Sequence, residues 1–279
     1  MMMMLMPLLL LILLILLGYA TQTGAFGRGV EFLFAADFSK LSAEAVLVAM
    51  GHSFFTLSLG MGAIMAYGAY LPKQVSIPRT ALVISVMDTL VALVAGLVIF
   101  SIVFAFDLAP DQGISLIFKT LPLAFAQMPY GEWVGCLFFL LLAFAALTSA
   151  ISLLEPAVAW LVDGCGWDRH RAAIFTSGLA WLLGIGSVLS LNLWSDLGWF
   201  GGWTLLDGLD FLTSSLMLPI GGAVIAVFVG WKMQRQFVLA EMGQLPAWLY
   251  PCWIWALRVV APSAVLMVLA TKVWEKLGG

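Results

Sequence analysis

Charge is what this sequence has least of. Only 12 of its 279 residues are Lys or Arg and 15 are Asp or Glu, and the net charge of −3 is too small to suit a nucleic-acid partner. Two histidines and three cysteines (Cys136, Cys165, Cys252) are too few and too scattered for a metal cage or a disulfide framework. No nucleophile elbow, phosphate-binding glycine loop or dinucleotide fingerprint occurs. The alternation of apolar and polar residues that marks a membrane barrel is missing too. What is there is hydrophobic: 63% of the residues, in long continuous runs, with a mean hydropathy of +1.08. That is the balance of an all-α integral membrane protein.

The apolar runs predict about seven transmembrane helices in a single domain over 1–279, at about 3–20, 43–70, 80–106, 131–162, 172–191, 210–231 and 248–274. Met1 to Leu17 is uncharged, whereas a signal peptide has a basic start and a shorter apolar core, so this run reads as a retained span. The stretch to Leu41 reads as a loop carrying Arg28, Asp37 and Lys40. Pro72 and Pro78 frame a short connection. Residues 110–128, with Pro110, Gly113 and Pro122 among apolar residues, suggest short helices lying over the bundle. No short-period repeat is present. Lys73, Arg79, Arg169, Arg171, Lys232 and Arg235 fall in three alternate loops, and Arg28, Lys40 and Lys119 in the opposite ones. The positive-inside rule then puts the N-terminus in the cytoplasm and the C-terminus outside, in a multi-pass protein of the cell membrane.

The second run holds the sequence Gly51-His52-Ser53-Phe54-Phe55-Thr56-Leu57-Ser58-Leu59-Gly60-Met61-Gly62. Glycine inside a helix costs about 1 kcal/mol against alanine. Three glycines with hydroxyls at 53, 56 and 58 read either as a packed helix whose small residues admit a neighbour, or as a helix broken near 55–60. A break at membrane depth is tolerated only where it is buried in protein or lines a cavity, and it would free carbonyls as hard oxygen ligands.

Charges inside spans need a partner or a role. Asp88 must neutralise, pair or bind a cation. In Ala145-Ala146-Leu147-Thr148-Ser149-Ala150 two adjacent hydroxyls either form a hard-oxygen site or bond back to the preceding turn. Glu155, before Pro156, reads as a carboxyl paired between helices. Asp207 and Asp210 suit the start of the sixth span electrostatically. His52 is either a neutral hydrogen-bonded histidine or a proton-sensitive group.

The run Phe54-Phe55-Thr56-Leu57-Ser58-Leu59-Gly60, the preceding Gly29-Val30-Glu31-Phe32-Leu33-Phe34 and Asp37-Phe38-Ser39-Lys40-Leu41, and the 145–150 run resemble the neurotransmitter:sodium symporter family, sodium-coupled carriers of amino acids and biogenic amines. A discontinuous helix is a known feature of that family, and the resemblance implies one here. It implies sodium as the coupling ion, with Thr56 and Asp88 at a first sodium site. Ala145, through its carbonyl, and the hydroxyls of Thr148 and Ser149 would hold a second. Substrate would touch Phe55, Thr56, Ser58, Met61, Ser149 and Leu153, and the flexible Met61 suits an apolar or aromatic amino acid. Asp210, with Asp207 beside it, matches an outer gate. Tyr70 and Asp163 match an inner gate, and residues 110–128 an extracellular lid. No other cofactor is implied. Ala92 stands where chloride-independent members carry a glutamate, which leaves chloride coupling open.

The resemblance runs from Pro7 to Trp274 and corresponds to family helices five to eleven: the second inverted repeat with one flanking helix at each end. The first four helices, among them the broken first helix that completes both sodium sites, have no counterpart. The expectation is therefore the C-terminal part of a sodium:amino-acid symporter, inactive alone and completed by an N-terminal half. The alternative is a non-transporting membrane fragment or half-transporter that assembles with a related protein. An enzyme is not expected: His52 with Asp88 is the sole candidate dyad, and no nucleophile stands at motif spacing.

Overall fold

A computed structural model describes residues 2–35, 37–72, 74–110, 115–194, 203–242 and 249–277. Lys73, counted above for orientation, and residues 111–114 of the expected lid lie outside them. The described chain is helical throughout, in the order α1 (Met2–Ala20), α2 (Phe26–Phe34), α3 (Ala43–Thr56), α4 (Ala63–Ala69), α5 (Ile77–Ala105), α6 (Leu116–Gln127), α7 (Gly131–Cys165), α8 (Arg169–Ser190), α9 (Leu205–Lys232), α10 (Arg235–Met242) and α11 (Leu249–Thr271, continuing to 277). Among the described residues five helices, α5, α7, α8, α9 and α11, are long and apolar enough to cross a membrane. The apolar part of α1, Leu5–Ala20, is shorter. The expected second span is divided into α3 and α4, neither of which crosses by itself.

The chain forms two compact units. The first comprises residues 1–40 and 84–151. Its core joins Leu13 and Leu16 of α1, Val98 and Ile102 of α5, Leu121 and Phe125 of α6 and Phe138 of α7. Apolar stripes on four helices thus close on one another. The stretch before Leu41 is not all loop: α2 occupies part of it, because its aromatic residues have a face to bury. Phe32 packs its ring 4.6 Å from Phe100 and 5.3 Å from Phe104. Gly29 sits so close to α5 that an added Cβ would stand 2.6 Å from Ser101 Oγ. Arg28 donates to Asp107 at 2.8 Å and to the Phe104 carbonyl at 2.9 Å.

The second unit comprises residues 41–83 and 152–279. Here α3, α9 and α11 pack on one another, and the C-terminal part of α7 packs on α8 around the fully buried Ala172. The helix starts carry their own caps. Ser42 accepts from the Ala45 amide at 3.0 Å, and Asp168 accepts from the His170 amide at 3.0 Å. Thr204 and Asp207 form a reciprocal capping box at the start of α9. Asp207 is thus engaged with the helix end, as its electrostatics suggest.

Candidate ion and substrate site

The chain between α3 and α4 is where this sequence departs furthest from regular structure. Residues 57–62 are non-helical, and Ser58, Gly60 and Gly62 have φ of 53°, 87° and 81°. A left-handed serine is strained, so the surrounding structure must hold it. The clamp is visible at Gly60. An added Cβ there would lie 2.3 Å from the Leu218 carbonyl and 2.7 Å from the Gly222 amide of α9. Gly221 and Gly222 answer from the other side, where Cβ atoms would strike the Gly60 carbonyl at 2.3 Å and the Phe54 ring at 2.7 Å. Backbone meets backbone, with glycine on both faces of the contact.

The break rearranges the hydrogen bonds. The Leu57 amide bonds the Ser53 carbonyl at 3.2 Å, Ser58 bonds Phe55 at 3.0 Å, and Leu59 bonds Phe54 at 2.9 Å. Helical bonding resumes where the Ala66 amide meets the Gly62 carbonyl at 2.9 Å. Among the described residues the five carbonyls of residues 57–61 accept no backbone hydrogen bond, and the Ser58 hydroxyl has no partner. Hard oxygens with spare lone pairs, in an otherwise apolar setting, suit a small cation or the polar end of a ligand.

Two cavities adjoin the break within this unit. One, of about 380 Å³, is lined by His52, Phe55, Asp210, Ser214 and Val265 among others. The other, of about 240 Å³ and almost wholly apolar, is lined by Phe54, Ser58, Gly60, Met65 and Leu257 among others. Phe55 and Ser58, expected to touch one substrate, thus line different cavities. Met61 is half-buried, and Leu153 is exposed on α7. Asp210, just before a π-helical stretch at Phe211–Met217, accepts from Ser214 within it at 2.9 Å; such widened turns are common at functional sites.

The remaining expected residues of this unit are Thr56, the last residue of α3, Tyr70 and Asp163, all exposed. Tyr70 is near enough to the Arg169 guanidinium to interact with it electrostatically. That same guanidinium bonds both carboxylate oxygens of Glu155, at 2.8 and 2.9 Å. Glu155 therefore has the interhelical partner the sequence calls for. That the partner is Arg169, fourteen residues on and around a turn, is not readable from spacing. One turn before Glu155, Ser152 accepts from Tyr67 Oη at 3.1 Å, which ties α4 to α7.

The first unit holds Asp88 on α5 and Ala145, Thr148 and Ser149 on α7. Asp88 is half-buried, and Thr89 beside it bonds back to the Ser85 carbonyl at 2.9 Å. Thr148 is buried and donates to the Ala145 carbonyl at 2.9 Å. The back-bonded alternative is thus realised for Thr148, and it sets the two oxygens side by side. Ser149 is exposed, and its hydroxyl has no partner among the described residues.

These features define a helical multi-pass membrane protein with one discontinuous helix. The chain belongs to the sodium:neurotransmitter symporter family, whose model matches residues 1–277. That is a family of carriers, not enzymes. The chain is 39% identical over 253 residues to an uncharacterized sodium-dependent transporter of Bacillus subtilis, covering 89% of this chain and 55% of that protein. It is 30% identical over 276 residues to another of Methanocaldococcus jannaschii, covering 92% and 53%. Among solved structures it superposes on the crystal structure of MhsT in complex with L-phenylalanine with a TM-score of 0.85 at 41% identity, covering 96% of this chain and 61% of that one. The chain spans about half the length of the curated relatives it matches.

Proposed function

We propose that this chain is the C-terminal part of a sodium-coupled amino-acid symporter that works by alternating access, with ions and substrate held between helices at mid-membrane. The observation that carries the reading is the interrupted helix, whose carbonyls at 57–61 accept no backbone bond among the described residues, in a chain of this family. By the family's pattern, Thr56 and Asp88 serve the first sodium ion, and the Ala145 carbonyl with the Thr148 and Ser149 hydroxyls the second. Phe55, Thr56, Ser58, Met61, Ser149 and Leu153 face substrate. Asp210 and Asp207 belong to an outer gate, and Tyr70 and Asp163 to an inner one. An apolar or aromatic amino acid is the proposed substrate, and the L-phenylalanine bound to MhsT supports that class. Positive-inside counting supports a cytoplasmic N-terminus and an external C-terminus.

The reading includes an N-terminal half that supplies the rest of the cage. In proteoliposomes, a fusion of the N-terminal half of the Bacillus subtilis relative to this chain is expected to take up L-phenylalanine or L-leucine in a sodium-stimulated manner, and this chain alone is not. Sodium-driven uptake by the chain alone at the rate of the fusion overturns the need for that half. A folded fusion that binds no amino acid in sodium overturns the carrier reading. The second reading is a non-transporting component that docks to a related membrane protein. It predicts co-purification with such a protein and no sodium-dependent binding in the pair.

A further inference from the structure

Away from the broken helix, the second unit holds a pocket of about 800 Å³ between the ends of α9 and α11 and the short α10. Its apolar wall includes Met233, Leu239 and Ile254, and its polar groups include Arg235 and Arg258. No carboxylate lines it among the described residues, and neither arginine forms an ion pair there. Arg235 lies over the Tyr250 ring, 5.2 Å from its centroid. Arg258 donates Nε to the Gly230 carbonyl, and its two terminal nitrogens have no hydrogen-bond partner among the described residues.

An arginine inside a membrane span is costly unless it reaches the interface or meets an anion. Arg258 stands about nine residues into α11, roughly 13 Å along the axis at 1.5 Å per residue. Its bond to Gly230 turns it toward the end of α9, where Lys232 lies in the last turn. Gly230 makes room for this, since a Cβ there would press on Arg258 Cγ at 3.1 Å. Both residues sit in π-helical turns, Phe228–Lys232 and Ala256–Val260, a feature common at functional sites. The chain thus holds a guanidinium fork open at a span end, with a second arginine and an apolar wall beside it.

We propose that this pocket binds one anionic phospholipid. The phosphodiester is held by Arg258 and Arg235, and an acyl chain lies against Met233, Leu239 and Ile254. The charge is complementary, the fork suits phosphate oxygens, and basic pockets between membrane helices bind anionic headgroups in this way. A zwitterionic lipid presents the same phosphate but adds an ammonium group that the two arginines repel.

The test uses the purified 279-residue chain in mild non-ionic detergent. It is titrated with dioleoyl phosphatidylglycerol or dioleoyl phosphatidylcholine, and retained lipid is counted by native mass spectrometry. One phosphatidylglycerol per chain is expected, retained about tenfold over phosphatidylcholine. R235Q/R258Q brings that ratio within twofold of unity, and R28Q, whose arginine lies in the other unit, leaves it unchanged. If the double variant loses its monodisperse peak, R235Q alone carries the test with an expected loss of at least threefold. Equal retention of the two lipids by the wild type overturns the proposal, as does an unchanged preference in the folded variants. Displacement of phosphatidylglycerol by millimolar inorganic phosphate also overturns it, because the site would then serve a free anion rather than a lipid.

Discussion

Gly60 lies against Leu218 so closely that a Cβ on the glycine would stand 2.3 Å from the leucine carbonyl oxygen. Two backbones meet there with no side chain between them. The turn that opens α3 from α4 is held by this contact as much as by the left-handed torsions within it.

Gly60→Ala is therefore expected to lower the apparent melting temperature in detergent by more than Gly24→Ala. Both glycines have positive φ, 87° and 77°, which costs an alanine about 1–2 kcal/mol. At Gly24 nothing lies within 4 Å of the added methyl, whereas at Gly60 it meets backbone of α9. A thermal-shift series on the two variants checks this. Equal losses would show that torsion alone, and not the contact with Leu218, holds the break.

In the pair Glu155–Arg169 one guanidinium nitrogen, Nη2, bonds both carboxylate oxygens and the Glu155 side chain is only 18% exposed, whereas Asp107, the partner of Arg28, is 85% exposed. Exposed pairs contribute about 0–1 kcal/mol, but removing one partner of a sheltered charge leaves the other desolvated and unpaired. Arg169→Gln should thus lower the melting temperature more than Arg28→Gln. Arg169→Gln/Glu155→Gln should recover part of the loss, because no charge is then stranded. A double-mutant cycle measures the coupling.

Asp88→Ala in the fusion described above should abolish sodium stimulation of uptake, while Asp88→Asn, which keeps an oxygen ligand, should retain it. Uptake measured across a sodium series separates the two. Sodium dependence that survives the alanine variant removes Asp88 from the ligand set.

Thr148→Val keeps the shape of a buried side chain and removes its hydroxyl from the Ala145 carbonyl. A variant that folds like the wild type but needs at least about tenfold more sodium for half-maximal uptake marks the hydroxyl as a ligand; a tenfold change corresponds to about 1.4 kcal/mol. Thr148→Ser should stay near wild type. If the valine variant has the wild-type sodium requirement, the hydroxyl serves only the helix.

Much of the helical class was legible because a membrane leaves few options: a long apolar run must close its backbone bonds on itself. Spacing left the second run open between a packed helix and a broken one, and the interruption seen at 57–62 was implied by the resemblance of the 54–60 run to the family. α2 was not legible, because Gly27, Gly29 and Arg28 read as loop chemistry until Phe100 and Phe104 are there to cover Phe32. The back-bonded Thr148 was one of the two readings that residue type left open, and the one it favoured.

By itself, then, the sequence determined an all-helical membrane protein, its family, and the place where one helix is interrupted, because these follow from local composition and from a long specific run. Tertiary structure alone decided which groups meet: Gly60 with Leu218, Glu155 with Arg169, Arg258 with Gly230. Those partners are separated by from 14 to 158 residues, and no periodicity within a helix encodes which face of another helix will lie against it.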